Sequence, residues 1–387
     1  MHSKAVELFQ KYPILTIMGP RQSGKSTLAR SAFPDKPYLS FENIDVRAKA
    51  IQDPNKFLAN LPQGAILDEV QKAPDILSYL QTETDLRDHA GQFVLTGSAQ
   101  LQMLSKVSQT LAGRTALLTL LPFSLSEAYP QGVSAELQDV LYKGFYPRIF
   151  DKDLNPTEAL ADYCATYVER DVRDVLEIKN LSKFELFLRG CAARTAQILN
   201  VSSLADDIGI THVTAESWLS VLEASYIAFR LQPHFNNLTK RLMKAPKLHF
   251  YDCGLASYLM QATQPETWRH HALRGELFES FVLSELLKQR HNRKLPPNLY
   301  YWRDSAGHEI DALFDFGSVQ LPIEIKSGQT VTDDMFKNLR YYQKLNPSAP
   351  KAILIYGGKE TYVARNTWVV GFRDLPRLAA LDHTLSF

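Results

Sequence analysis

Gly19-Pro20-Arg21-Gln22-Ser23-Gly24-Lys25-Ser26 follows directly on the apolar run Ile14-Leu15-Thr16-Ile17-Met18 and leads into Thr27-Leu28-Ala29-Arg30. The octet fits G-x-x-x-x-G-K-[ST], with a β-branched strand before it and a helix after it. Gly19 and Gly24 let the backbone curl so that its N–H groups face an anion. The helix N-terminus adds partial positive charge at the same point. The stretch from Gly19 to Thr27 therefore predicts a nucleoside-triphosphate cradle. Lys25 would reach the β- and γ-phosphates, and Ser26 would hold Mg²⁺.

Working outward, Gly64-Ala65-Ile66-Leu67-Asp68-Glu69-Val70 reads as a short strand ending in two carboxylates. Asp68 would support the Mg²⁺ ion and Glu69 would polarise the attacking water. A further strand, Gln92 to Thr96, runs into Gly97-Ser98. Thr96 and Ser98 are candidates to sense the γ-phosphate, and a plain Ser-Gly turn is the alternative. Leu111-Ala112-Gly113-Arg114 precedes the strand-like Thr115 to Leu120 and then Pro122-Phe123-Ser124. Arg114 is a candidate to stabilise phosphoryl charge, in cis or from a neighbouring subunit, against an ordinary surface ion pair. Alternating strands and helices with a phosphate loop at a strand's end predict an α/β fold with a parallel sheet.

The segments Pro20 to Lys25, Leu67-Asp68-Glu69-Val70-Gln71, Leu95-Thr96-Gly97-Ser98 and Gly113-Arg114 with Pro122-Phe123-Ser124 together resemble one family. It is the prokaryotic AAA-type ATPases that carry a C-terminal domain of undefined function. The resemblance spans essentially the whole chain and implies ATP as the nucleotide, while leaving the biological role open. Tyr142 to Pro147 and Tyr163 to Val175, with Arg170 and Asp171, resemble that family's helical linker.

In the middle region, Ser203 to Ile210 and Thr214 to Leu222 read as helix–turn–helix, with Gly209 at the turn and Thr214 as a cap. The second helix offers Thr214, Glu216, Ser217 and Trp218 without a cation, which argues against DNA phosphates and for a lid on the ATPase. Lys240, Arg241, Lys244 and Lys247 would lie on a wing, as a nucleic-acid contact or a solvated basic loop.

The last third carries a second constellation. A helical period runs through Leu277, Phe281, Leu283 and Leu287, followed by strands at Leu299–Arg303, Glu309–Phe314 and Leu321–Lys326. Glu324 and Lys326 stand two apart, hence on one face, with Ile323 and Ile325 facing a core. Asp311, Glu324 and Lys326 resemble the D…E-x-K signature of restriction-endonuclease-like nucleases, with Glu279 on the preceding helix and Gln343 on a later one as accessories. The resemblance implies Mg²⁺ or Mn²⁺ on Asp311 and Glu324, with Lys326 stabilising the charged phosphodiester. Pattern alternation alone also generates exposed Glu-x-Lys pairs, so an inactive nuclease-like module remains the alternative.

The 387 residues allow three domains: an ATPase core at 1–130, a helical and winged-helix-like region at 131–265 and a nuclease-like domain at 266–387. A formal net charge of +1 gives no global field towards nucleic acid. Cys164, Cys191 and Cys253 are too scattered for a zinc or disulfide framework, which fits a reducing cytoplasm. No apolar run approaches ~20 residues, so no membrane span is expected. Two readings follow: an ATP-regulated nuclease on DNA or RNA, or a nucleotide switch that captures a protein partner. A homo-oligomer, with Arg114 acting in trans, stays open.

Overall fold

β1 (Ile14–Gly19) is buried along its whole length, as a strand covered on both faces must be. With β2 (Tyr38–Ser40), β3 (Ile66–Asp68), β4 (Phe93–Ser98) and β5 (Thr115–Thr119) it builds a parallel sheet in the order β2-β3-β4-β1-β5. The computed structural model describes residues 1–98, 107, 109–167, 181–235 and 245–381. The expectations placed on Arg170, Asp171, Lys240, Arg241 and Lys244 lie outside the described residues.

Side chains of β1 alternate between two cores, as the two-residue strand period requires. Ile14 and Met18 pack with Leu67, Leu77 and Leu95, while Leu15 and Ile17 pack with Ala29, Val94 and Leu118. Gly19 ends the strand where no side chain fits: a Cβ there would lie 1.9 Å from the Leu120 carbonyl oxygen. Leu120 in turn donates its N–H to the Met18 carbonyl at 2.7 Å, fixing the point where the loop departs.

The described chain forms two compact units. The first is Met1–Pro122 with Ala224–Tyr226 and His291–Leu295. The second is Phe123–Glu223, Ile227–Arg290 and Pro296–Phe387. The middle and C-terminal regions, which the sequence divides near residue 265, therefore share one unit.

In that second unit, helices Val201–Ile208 and His212–Ala224 are joined through Gly209 at φ 69°, as the sequence anticipates. The cap differs: the Thr214 N–H donates to Thr211 Oγ1 at 3.1 Å, so Thr211 caps the second helix. Trp218 is 6% exposed and meets Phe184 and Phe187 edge-on. The antiparallel pair β6 (Ala228–Leu231) and β7 (Lys247–Phe250) follows.

A mixed six-stranded sheet completes the unit. Its strands are β8 (Leu299–Arg303), β9 (Glu309–Asp315), β10 (Gln320–Lys326), β11 (Ala352–Tyr356), β12 (Tyr362–Ala364) and β13 (Thr367–Gly371), in the order β12-β13-β11-β10-β9-β8. β8, β9 and β10 run antiparallel, and β10 pairs in parallel with β11. The helix Arg274–Asn292 precedes β8, and the helix Lys337–Leu345 connects β10 to β11.

Two family-like motifs turn out to be joints. Ser124 forms a capping box with Glu127, and the adjacent Leu125 N–H donates to buried Glu285 on the long helix at 2.9 Å. Gly144, at φ 65°, lies against Asp252 and Gly254; a Cβ there would come 2.4 Å from Asp252 Oδ1. Asp252 accepts the Phe145 N–H at 2.7 Å and the Leu255 N–H at 2.8 Å. Phe145 then stacks on Phe281 at 5.6 Å with 3° between the rings.

Candidate functional site

The phosphate-type loop leaves β1 at Gly19 and enters the helix Lys25–Ala32 through Gly24 at φ 91°. Gln22 also has a positive φ, 59°, so the loop turns its backbone twice within three residues. Lys25 is 5% exposed and donates to the carbonyls of Gly19 at 3.1 Å and Pro20 at 2.7 Å. Ser23 Oγ donates to the Pro20 carbonyl at 2.9 Å. These bonds draw Pro20, Arg21, Gln22 and Ser23 into a curl closed over the lysine. An ammonium seated on neutral carbonyls is ready to exchange them for a more strongly accepting anion.

Asp68 ends β3 beside this curl at 4% exposure. It accepts from Ser26 Oγ at 2.6 Å, Tyr38 OH at 2.8 Å, Ser40 Oγ at 3.3 Å and Thr96 Oγ1. Burial, then the bond to Asp68, pushes the Tyr38 phenol up to about 12. Ser26 and Asp68 thus present two hard oxygens in contact, a donor pair that fits Mg²⁺. Glu69 follows at φ 56°, with its N–H donated to Thr96 Oγ1 at 3.3 Å and its carboxylate held by Gln71. Thr96, read as a sensor or a turn residue, donates to Asp68 and accepts the Glu69 N–H.

Other expectations are placed elsewhere. Ser98 pairs with Gly19 across the sheet, and its side chain lies outside the described residues. Thr27 lines a cavity of about 540 Å³ with Arg30, Lys36 and Tyr38, with the Arg30 guanidinium 5.2 Å from the Tyr38 ring centre. Arg114 sits at the far end of the sheet: its carbonyl accepts the Ile14 N–H at 3.1 Å, where β1 begins. Five residues of strand, about 16 Å, separate that point from the loop. Its guanidinium makes two bonds to Asp85, at 2.6 and 2.7 Å. The fold does not bring Arg114 to the loop of its own chain.

In the second unit, the long helix and two neighbouring strands gather the acidic constellation. Lys326 Nζ lies 2.7 Å from Glu324 Oε1 and 3.3 Å from Asp311 Oδ2. Asp311 Oδ2 also accepts the Ile325 N–H at 2.7 Å, which ties β9 to β10 at the site. Glu279 enters from the helix, bonded at 2.9 Å to Lys247 on β7. Lys247 also contacts Glu309, which Arg303 approaches at 3.5 Å.

Four of these groups correct or extend the sequence reading. Lys247, expected on an exposed wing, is 3% exposed and belongs to the acidic cluster. Asn338 donates to Glu324 at 3.4 Å, whereas Gln343 turns away to the Ala349 carbonyl at 3.1 Å. Glu309, two residues before Asp311, shares its face by strand alternation, a signal that was available. Lys247 carried no comparable signal, because it lies 64 residues before Asp311 (311 − 247) on another element.

The electrostatics follow from crowding. Burial raises the Glu324 carboxyl to about 8, Asp311 adds to the shift, and Lys326 opposes it. Burial raises Glu279 likewise to about 8, opposed by Lys247. Burial works to lower the Lys247 ammonium, but Glu279, Asp311 and Glu309 outweigh it and hold it above the usual lysine value. Among the described residues, no three His, Cys, Asp or Glu side chains form a ready metal cage. Glu324 Oε2 is nonetheless buried without a hydrogen-bond partner among them. An orphaned carboxylate oxygen beside Asp311 fits a hexacoordinate Mg²⁺, which needs only one or two protein carboxylates.

Comparisons with known proteins separate the two sites. Residues 11–129 match the model of an AAA domain, and with the loop, Asp68 and the parallel sheet this settles the first region. It is an AAA domain. Residues 134–266 match a domain of unknown function (DUF8612), and residues 274–375 match another (DUF4143). Uncharacterized proteins of Mycobacterium tuberculosis and Mycobacterium bovis are each 26% identical over 360 residues, covering 92% of this chain and 79% of theirs. The Walker-type ATPase of Pyrococcus abyssi is similar at 16% identity and TM-score 0.44, covering 67% of this chain and 94% of its own. Among the described residues, no helix is long and apolar enough to cross a membrane.

Proposed function

We propose that the chain is a Mg²⁺-dependent ATPase whose nucleotide state governs a metal-dependent nuclease site in its second unit. In the AAA domain, Lys25 moves from the Gly19 and Pro20 carbonyls onto the β- and γ-phosphates. Ser26 and Asp68 would hold the Mg²⁺ ion, which when bound would offset charge on the phosphates, and Glu69, released from Gln71, would orient the attacking water. Arg21, Gln22 and Ser23 supply backbone N–H groups to the phosphates. Arg114 takes part only if a neighbouring copy presents it.

In the second unit, Asp311 and Glu324 would hold Mg²⁺ or Mn²⁺, which when bound lowers the cost of charging the attacking oxygen and the phosphodiester. Lys326 releases Asp311 and Glu324 and donates to the cleaved phosphate. Glu279 positions its neighbours through Lys247. The observation carrying this reading is the convergence of Asp311, Glu324 and Lys326 on adjacent strands, with Glu324 Oε2 left without a partner.

One observation favours the second reading, a nucleotide switch that captures a protein partner through an inactive module. Lys247 and Lys326 already compensate the acidic cluster from within. The test is cleavage of labelled single- and double-stranded DNA and RNA with Mg²⁺ or Mn²⁺, with and without ATP. Loss of cleavage in Lys326→Ala, and altered cleavage in Lys25→Ala, supports the nuclease. ATP turnover with no cutting under either metal leaves the switch.

A further inference from the structure

Arg269 and Arg274 flank the break between the short helix Thr267–His270 and the long helix that begins at Arg274. The break is held from both sides. Trp268 is fully buried and donates its indole N–H to Ser257 at 2.6 Å, while the Leu273 N–H donates to His271 Nδ1 at 3.1 Å. Both arginines face a cavity of about 620 Å³ that opens to solvent, completed by Glu136, Gln138 and Gln329. The Gln329 loop is itself fixed, since the Gly357 N–H donates to the carbonyls of Lys326 and Gly328 at 3.0 Å each.

The charges in this cavity do not close. Neither Arg269 nor Arg274 forms an ion pair among the described residues. Arg274 Nε is buried without a hydrogen-bond partner, and its Nη1 reaches the Arg269 carbonyl at 3.5 Å. The carboxylate on the wall is already neutralised: Glu136 Oε1 is bonded by Lys359 at 2.8 Å and by Arg373 at 3.2 Å. A second carboxylate, Asp139, accepts the Glu136 N–H at 3.2 Å. Arg269 also acts on Glu136 through space, so three cations share this one carboxylate and Arg274 adds a fourth to the cavity wall. A guanidinium with a dry, unused N–H gains most from a charged oxygen acceptor, and its planar fork matches phosphate.

We propose that this cavity is a phosphate-binding subsite, in which Arg269 and Arg274 clasp one phosphate group and Gln138 and Gln329 donate to its remaining oxygens. Gln329 follows Lys326 by three residues, so at most about 11 Å of chain separates the subsite from the D…E-x-K cluster. The proposal deepens the nuclease reading, in which the phosphate belongs to the strand being held. A free nucleotide offers the same chemistry, and the test distinguishes the two sources.

The test uses the full chain carrying Lys25→Ala, in EDTA so that no cleavage is needed. Binding of a fluorescent single-stranded oligonucleotide is followed by anisotropy across a salt series, with ADP and inorganic phosphate examined separately by thermal shift. Arg269→Gln and Arg274→Gln are each compared with Lys326→Ala. Oligonucleotide affinity falling about tenfold in each arginine variant, with the salt slope reduced by about one, assigns the site to a strand phosphate. Loss confined to the ADP and phosphate shifts assigns it to a free nucleotide. Ligand responses unchanged in both arginine variants overturn the subsite; Arg269 is exposed, so its variant answers even if Arg274→Gln unfolds. Because cutting is never read, the subsite and the nuclease reading can fail independently.

Discussion

The phosphate loop and the acidic cluster both bury charge, but they balance it in opposite ways. In the loop one ammonium donates to two backbone carbonyls and Asp68 accepts from four hydroxyl donors, so these bonds set charge on neutral dipoles. The cluster sets Glu279, Glu309, Asp311 and Glu324 against Lys247 and Lys326, so charges meet charges. Neutral dipoles release a lysine to an incoming phosphate without orphaning an opposite charge. Paired charges bind each other, and removing one leaves its partner exposed to the desolvation cost. The first arrangement suits exchange of a ligand on every turnover, whereas the second suits a site that is stable when nothing turns over.

The largest effect that would sharpen this contrast is kinetic. Lys25→Ala removes the loop's cation and frees the Gly19 and Pro20 carbonyls, neutral groups whose lost donor should affect folding little. ATP turnover should fall about 10²- to 10³-fold, by the same measure as other single groups that stabilise phosphoryl charge. Phosphate release at saturating ATP, beside a thermal melt, checks both halves. A large loss of stability with modest loss of turnover would break the comparison.

The mirror experiment is Lys247→Met at a pH of about 9, above the value at which Glu279 ionises, where it strands Glu279 and Glu309 in a poorly solvated site. Unfolding in urea should show a loss of about 3–5 kcal/mol, the cost typical of breaking a buried pair. Adding Glu279→Gln and Glu309→Gln should recover most of it, because amides carry no charge to desolvate. Failure of the triple variant to recover would mean that Lys247 stabilises through its packed stem rather than its charge.

Legibility in the sequence follows the same division. The loop, Asp68 and Glu69 are contiguous or sit at strand ends, so spacing alone places them. The strands Leu299–Arg303, Glu309–Phe314 and Leu321–Lys326 are read to within a residue by alternation. What escaped was the partner chosen through tertiary contact. Lys247 looked like one of four basic wing residues, yet a strand pairing with β6 turns it towards Glu279. Trp218 stands among polar neighbours in the sequence, and two phenylalanines from another helix cover it, a contact no local pattern shows. Thr211 rather than Thr214 caps that helix because the chain turns one residue after Gly209 and Ile210, which no local propensity distinguishes.

A titration tests the cluster again, with a smaller effect. Glu279 ionises near 4.5 in the unfolded chain and at about 8 in the fold, because burial disfavours its charge. Between those values the native chain holds a proton that the unfolded chain has released. Its contribution to stability is therefore complete below pH 4.5 and is lost as pH rises through 8. Melts across this window should fall by on the order of a few kcal/mol, and Glu279→Gln should flatten the decline. A curve equally steep in that variant would place the titrating group elsewhere.

The smallest expected effect falls on Arg114, and it decides a question of assembly. Its bonds to Asp85 are exposed, so Arg114→Ala should leave the melting temperature where it is. Within one chain the residue lies at the wrong end of the sheet to reach the loop, so a lone chain should hydrolyse ATP as before. If turnover drops in the variant, the lost charge must act on a neighbour's nucleotide, and the drop should appear only at protein concentrations where copies associate. Turnover measured against protein concentration, for wild type and variant side by side, separates a surface ion pair from a residue offered in trans. The loop itself cannot carry that information, because Lys25, Ser26 and Asp68 meet within one chain whatever its neighbours do.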